Sequence, residues 1–592
     1  MESGRLYLSG IQALVRLPID QHRRDVRAGL RTRTFVSGYP GSPLGGYDLA
    51  LRAAGGIAAE NGIVHVPGQN EELAATALMG TQMLDDHPHE SVDGVIAFWY
   101  GKGPGIDRAG DALKHGNFAG TSRHGAVVIL GGEDPEGKSS TLPFQEDHAF
   151  ENAGIPVLYP ASVAEFLEFG LHAIALSRYS GCWVALKLIA QLCDGGETVD
   201  VASDEPQIAI PDLRIAGRPF RKFTDFRFFP GFTIETERHL YRERHAAVRA
   251  YTRANRLDRI VASGPGDRLG ILSAGKSFSD TAQALIDLGF DSETLTQAGI
   301  RFGRLGVIYP ADEEFIRAFA DGLDEIVVVE EKRGVVEQRV KAALCNAEHR
   351  VRVLGKNDER GEPLFPVEGA LDADMIAEKL ASRVLRTAER IATIQEIHSR
   401  SYAELPKRTP NYCSGCPHNT STVLLQDRIA WGSPGCHSFA AVIEQPTRHI
   451  EAMTQLGGEG APWIGLAPFT EREHMVQNIG DGSFFHSGQL AIRFAVATGV
   501  NITFKILFNA AVANAGAQGP VGMRTVAEVA QMLALEGVGR VAVVTKHPAR
   551  YRDASLPECA QVRGVDDFDA TLAELEKTPG VTALIYDEEC AN

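Results

Sequence analysis

Through about the first 200 residues, short apolar runs stop at glycine-rich turns and give way to stretches of helical spacing. TRTFVSGYPGSP predicts a strand ending in a Gly/Pro turn, followed by a helix over about 47–61. DGVIAFWYGKGPG and GAVVILGGEDP repeat the strand-then-turn pattern, EFLEFGLHAIALSRYSG has helical spacing, and CWVALKLIA is strand-like. Such alternation predicts a parallel sheet with helices on both faces. Residues 206–256, rich in Arg, Phe and Pro and without a clear period, read as a connector. A second α/β unit opens at RLGILSAGKSFSD, runs through TAQALIDLG, and returns at DEIVVVEEKR. Charged helical stretches then lead to a third unit, in which MVQNI, ITFKILF, RVAVVTK and VTALIYD supply strands. The expected organisation is therefore α/β at 1–205, connector 206–262, α/β at 263–370, helical linker 371–407, and α/β at 408–592. No internal repeat or low-complexity tract is legible.

A chain of 592 residues exceeds what one core sustains. Its hydrophobic fraction of 44% and charged fraction of 23% are those of a soluble globular protein. A net charge of −17 argues against a nucleic-acid partner. No run reaches the ~18 apolar residues of a membrane span, and the N-terminus lacks the features of a secretory signal. Eight cysteines are too sparse for a disulfide scaffold, so a reducing cytoplasm is the expected compartment.

Gly480-Asp481-Gly482 sits where the strand MVQNI meets the helix SFFHSGQLAIRFAVA. A strand-to-helix turn favours anions, because free N–H groups and the helix dipole face it. After 26 further residues, Asn509 ends the strand ITFKILF. One strand–helix–strand unit in a parallel sheet brings those two strand ends side by side. A carboxylate and an amide oxygen would then meet at a crevice suited to Mg²⁺, which takes few protein ligands and the rest from phosphate and water. The plain alternative is a tight turn and a turn asparagine. Cys413-x₂-Cys416, with Cys436 after 19 more residues, groups soft thiolates that suit an iron–sulfur cluster or zinc, or that stand as free thiols.

The GDG-to-Asn spacing resembles the thiamine-diphosphate motif. YPGSP at 39–43, QNEELAA from Gln69, CSGCPHN from Cys413 and SPGCH from Ser433 resemble the 2-oxoacid:ferredoxin oxidoreductases. GYPGSPLGG, WYGKGPG, KSSTLP, RYSGCWVA, CSGCPHNTST and GGEGAPWIG narrow this to the indolepyruvate ferredoxin oxidoreductase family, across essentially the whole chain and in the same order. The resemblance implies pyrimidine-binding, transketolase C-terminal-like and diphosphate-binding domains. It also implies oxidative decarboxylation of an aryl or branched 2-oxo acid to the acyl-CoA, with electrons passing through a [4Fe–4S] cluster to ferredoxin or a partner subunit. The implied assembly is a homodimer or heteromer.

Residue by residue, the resemblance makes Glu71 the carboxyl that activates thiamine. Without the resemblance, Glu71 and Glu72 read instead as first-turn acids facing a helix dipole. Ser42 would lie near the substrate carboxylate, or is a turn serine. Gly480, Asp481, Gly482, Ser483, Asn509 and Gln518 would hold the cofactor. Asp481, Asn509 and the Ala511 carbonyl would ligate Mg²⁺. His486, just after GDG, would face the cofactor. His418 and His437 would contact the diphosphate or serve as local hydrogen-bonders. Cys590 in YDEEC would complete a cluster with Cys413, Cys416 and Cys436, leaving Cys182, Cys193, Cys345 and Cys559 as core or surface thiols.

Two departures bear on activity. Fused relatives continue past the YDEEC position into a ferredoxin-like domain, so electrons here would need a separate subunit or carrier. Where the family usually reads Met-Thr-Gly-Gly-Gln, this chain reads Asn514-Ala515-Gly516-Ala517-Gln518. A non-oxidative decarboxylase or carboligase, and a non-catalytic subunit, are the competing expectations.

Overall fold

The computed structural model describes residues 4–87, 91–138, 140–201, 206–384, 396, 409–424, 428–443 and 449–591. The chain forms two compact units, residues 1–403 and 404–592.

In the first unit a seven-stranded sheet is built from strands that are almost wholly apolar, because helices cover both faces. Every residue of Ala126–Glu133 and Val184–Ile189 is buried. In chain order the first six strands are Thr32–Gly38, Ile63–His65, Gly94–Lys102, Ala126–Glu133, Val157–Leu158 and Val184–Ile189. They lie across the sheet as 2-1-3-4-6-5, all parallel. Val307–Tyr309 then adds an antiparallel edge against Val157–Leu158, so this sheet recruits a strand from beyond residue 205. Arg259–Ala262, Leu269–Ala274, Ile300–Leu305, Glu325–Val329 and Arg352–Leu354 make a separate five-stranded sheet, parallel except for its first strand. The helix expected over 47–61 is two helices, Gly45–Ala53 and Gly55–Glu60, separated at Ala54.

The segment read as a connector folds. Phe232–Arg238, a π-turn at His239–Arg244 and His245–Ala254 form one continuous helical stretch. Its apolar period is masked because polar side chains occupy core positions and are satisfied by backbone. Fully buried Arg244 donates to the carbonyls of Asn117 (2.9 Å) and Phe223 (2.8 Å), and buried His245 Nε2 lies 2.9 Å from the Gly154 carbonyl. Arg244→Ala therefore strands carbonyls in the core, and is expected to cost about 3–5 kcal/mol in urea unfolding. A loss below about 1 kcal/mol would contradict this account.

The second unit holds a seven-stranded sheet that is parallel throughout. Its strands are Ala430–Gly432, Ile450–Met453, Met475–Gly480, Ile502–Phe508, Arg540–Thr545, Ala560–Gly564 and Val581–Asp587, in the order 2-1-3-4-7-5-6. The first four strands thus run in the same order in both sheets, although the sequence shows no repeat. In each sheet the winding reverses between strands 1 and 3, and open α/β sheets bind ligands at the carboxyl edge of such a reversal. The helical linker expected at 371–407 lies mostly outside the described residues; a helix at Ala373–Ala381 is its described part. Among the described residues no helix is long and apolar enough to cross a membrane.

Candidate functional site

In the 404–592 unit, Met475–Gly480 and Ile502–Phe508 are paired neighbours, with Gly480 opposite Leu507. The next residues along, Asp481 and Asn509, leave the same edge together. The Gly482 N–H donates to Asp481 Oδ1 at 2.7 Å, and the Asn509 N–H donates to Oδ2 at 3.0 Å. Burial pushes the Asp481 carboxyl up to about 6, against the N–H groups of Asn509, Gly482, Ala510 and Ala511, which favour its ionised form. Asn509 Oδ1 accepts from the Ala511 N–H at 3.2 Å, and Ala510 adopts φ 57°. These N–H groups form a concave nest of the kind that receives anions.

The loop that follows closes on itself: the Val512 N–H donates to the Gln518 carbonyl at 2.8 Å. Gln518 is buried, and neither atom of its side-chain amide has a partner. A buried amide left unpaired costs free energy, so the site suits a polar ligand there. Ala517 takes φ 62°, a left-handed conformation that explains the glycine usual at this position in the family pattern.

Asp481–Ser483 runs into a π-turn, Phe484–Gly488, and then the helix Gln489–Thr498. Such π-turns are frequent at functional sites. Buried His486 lies on it, with Nδ1 2.7 Å from the Ser487 hydroxyl, and Ser483 Oγ reaches toward the Pro434 carbonyl at 3.5 Å. His437 Nε2 accepts from the Ser433 N–H at 3.2 Å, making it a local hydrogen-bonder in this structure. His418 Nδ1 lies 3.2 Å from Ser421 Oγ. Burial lowers His418 to about 4 and His437 to about 3, so both are neutral near pH 7 and meet an anion as hydrogen-bonding groups rather than as cations.

In the 1–403 unit the same edge carries the other candidates. Asn70 caps the helix Glu71–Thr81, its Oδ1 accepting from the Leu73 N–H. Glu71 is buried, its carbonyl accepts from Trp99 Nε1 at 3.0 Å, and its side chain lies against Gly105, where a Cβ would come within 2.7 Å of Glu71 Cγ. That contact explains a glycine in GKGPG. Lys102, at the end of strand 3, passes over Gly41 beside half-buried Ser42. Burial lowers the Lys102 amine, while the nearby charges of Glu71 and Asp134 oppose that fall. The sequence reading overlooked Lys102 and Asp134; the only available signal was their position at strand ends.

Cys413 and Cys416 sit on one tight turn, with the Cys416 N–H donating to the Cys413 carbonyl at 3.0 Å. Burial pushes the Cys436 thiol up to about 11, with Cys416, Cys590 and Cys413 adding to the rise. The four thiols are therefore electrostatic neighbours, although 154 positions separate Cys436 from Cys590. All eight cysteines are free thiols, and Cys182 and Cys193 are core residues. Among the described residues no three His, Cys, Asp or Glu side chains are arranged to hold a metal. A Mg²⁺ site of one carboxylate, one amide and phosphate oxygens needs no such trio.

The sequence profile described as the indolepyruvate oxidoreductase domain matches residues 259–404. The chain is 25% identical over 537 residues to the indolepyruvate oxidoreductase subunit IorA of Methanothermobacter thermautotrophicus, covering 88% of this chain and 78% of that one. It is 25% identical over 571 residues to the IorA subunit of Methanothermobacter marburgensis, covering 93% and 83%. A structure of 2-oxoglutarate:ferredoxin oxidoreductase from Magnetococcus marinus aligns with a TM-score of 0.46 at 13% identity, covering 64% of this chain and 66% of that one. With relatives matched over most of its length and the domain profile matched within it, the chain is similar throughout to the indolepyruvate oxidoreductase subunits IorA.

Proposed function

We propose that this chain is the thiamine-diphosphate-binding subunit of a 2-oxoacid:ferredoxin oxidoreductase acting on an aryl 2-oxo acid of the indolepyruvate kind. The observation that carries the reading is the convergence of Asp481 and Asn509 on one edge, beside the winding reversal of a parallel sheet. Asp481, Asn509 and the Ala511 carbonyl would hold Mg²⁺. Gly480, Gly482 and Ser483 open a helical segment whose N–H groups would meet the diphosphate. Gln518, the neutral His418 and His437, and His486 are the remaining polar groups for the cofactor. Thiamine diphosphate, when bound, supplies the nucleophilic carbon and electron sink that decarboxylation requires.

Glu71 would exchange a proton with the aminopyrimidine ring, with Lys102 nearby offsetting the charge of its ionised form. Ser42 would donate to the substrate carboxylate. Cys413, Cys416, Cys436 and Cys590 would carry a [4Fe–4S] cluster, for which the family likeness of CSGCPHN, SPGCH and YDEEC is the support, since their described placement does not itself group three metal ligands. Coenzyme A would take the acyl group, and ferredoxin or a partner subunit would take the electrons, in keeping with relatives named as subunits.

Cys413→Ala tests the oxidative part. Protein purified without oxygen is expected to be brown, and the variant to lose its visible absorbance together with 2-oxo acid-dependent dye reduction. A colourless wild type that still released CO₂ would point to a non-oxidative decarboxylase instead.

A further inference from the structure

Glu459 was not singled out in the sequence beyond its place in GGEGAPWIG, yet its surroundings set it apart. It has no solvent exposure, and neither carboxylate oxygen has a hydrogen-bond partner. The Ser433 hydroxyl beside it is equally buried and equally unpaired. Burial raises the Glu459 carboxyl. Its own N–H, that of Gly457, the Ser433 hydroxyl and the charge of His486 oppose the rise, although none closes a hydrogen bond of ordinary geometry. The position is fixed: the Gly460 N–H donates to Gln477 Oε1 at 2.9 Å, tying this segment to strand 3, while Ser433 directly follows strand 1. Glu459 and Ser433 therefore border the winding reversal that Asp481 also borders.

Topology adds an independent argument. In the 1–403 sheet, strand 2 ends at His65 and Glu71 follows six residues later, as the first residue of a helix. In the 404–592 sheet, strand 2 ends at Met453 and Glu459 follows six residues later, just before the helix Ala461–Leu466. The two glutamates occupy matching places in two sheets whose first four strands share one order.

A carboxylate buried without a hydrogen bond of ordinary geometry is costly, and that cost is relieved by a ligand that brings a cation. We infer that Glu459 is a second cofactor-facing carboxylate, which offsets the positive charge of the thiazolium ring while Ser433 stands beside it as a hydroxyl donor. This rests on the thiamine reading above.

The test separates ring charge from the rest of the molecule. The full chain, with Mg²⁺, is titrated calorimetrically with thiamine diphosphate and with its neutral-ring analogue, in which the thiazolium nitrogen is replaced by carbon. Glu459→Gln is expected to weaken thiamine diphosphate by about tenfold and to leave the neutral analogue unchanged, while Glu459→Asp retains most of the preference for the cation. Equal weakening of both compounds, or of neither, would overturn the assignment while the wild type still binds thiamine. A wild type that binds neither compound would overturn the thiamine reading itself, and this inference with it.

Discussion

Replacing Glu71 by Gln is expected to slow 2-oxo acid decarboxylation by about a thousandfold, within the range that a positioned acid–base group supplies. The substitution keeps the size of the side chain, so the contact with Gly105 and the bond from Trp99 Nε1 to the residue-71 carbonyl persist. What disappears is a carboxyl able to hold or release a proton beside Lys102. Single-turnover CO₂ release with saturating thiamine diphosphate isolates the chemical step. A variant as fast as the wild type would reduce Glu71 to a first-turn acid that only balances the helix dipole.

The second large effect concerns Asp481. Its carboxyl titrates near 6 in the fold, above its ordinary value of 3.8. Between those values the folded state binds more protons than the unfolded one, so this group's contribution to stability falls as pH rises from about 3.8 through 6. At neutral pH the empty protein therefore carries the cost of a buried charge, at most about 3 kcal/mol. Asp481→Asn removes that cost but sets an amide NH₂ against backbone donors, which costs about 1–3 kcal/mol. The two changes nearly cancel, so the melting temperature of the ligand-free variant should stay close to that of the wild type. The stabilisation by Mg²⁺ with thiamine diphosphate, about 2.7 kcal/mol at a hundredfold excess over Kd, should vanish. In the wild type the same stabilisation should weaken as pH falls through about 6, because protons compete with the metal for the carboxylate. Ligand stabilisation that survives in Asp481→Asn, or stays flat across that pH range, would contradict the assignment.

Much of this architecture is legible along the chain because parallel strands covered on both faces read as unbroken apolar runs. TRTFVSG, VALKLI, MVQNI and ITFKILF all lie where their patterns place them. The 232–254 helix was missed for a definite reason: His239, Arg244 and His245 fill core positions, and apolar periodicity cannot register a polar residue satisfied by distant carbonyls. The strand Val307–Tyr309 was also illegible as a member of the first sheet, since three residues pairing with a segment some 150 positions away leave no local signal.

The site divides in the same way. Asp481 and Asn509 were readable because one strand–helix–strand crossover fixes their relative placement. Glu71, Ser42 and the four cysteines entered through family resemblance rather than spacing alone. Ser433 and Glu459 emerged only with the fold, because what marks them is burial and missing hydrogen-bond partners, and Lys102 because what marks it is its place near Glu71 and Asp134. The shared strand order of the two sheets likewise left no repeat in the sequence, since many side-chain sets can fill one layered topology.

The most direct test is to purify the protein without oxygen and to quantify thiamine diphosphate and magnesium per chain, in the wild type and in Asp481→Asn reconstituted in parallel. The account predicts equimolar cofactor and metal in the wild type and neither in the variant. Equal occupancy in both proteins, or none in a folded wild type supplied with both ligands, would contradict it.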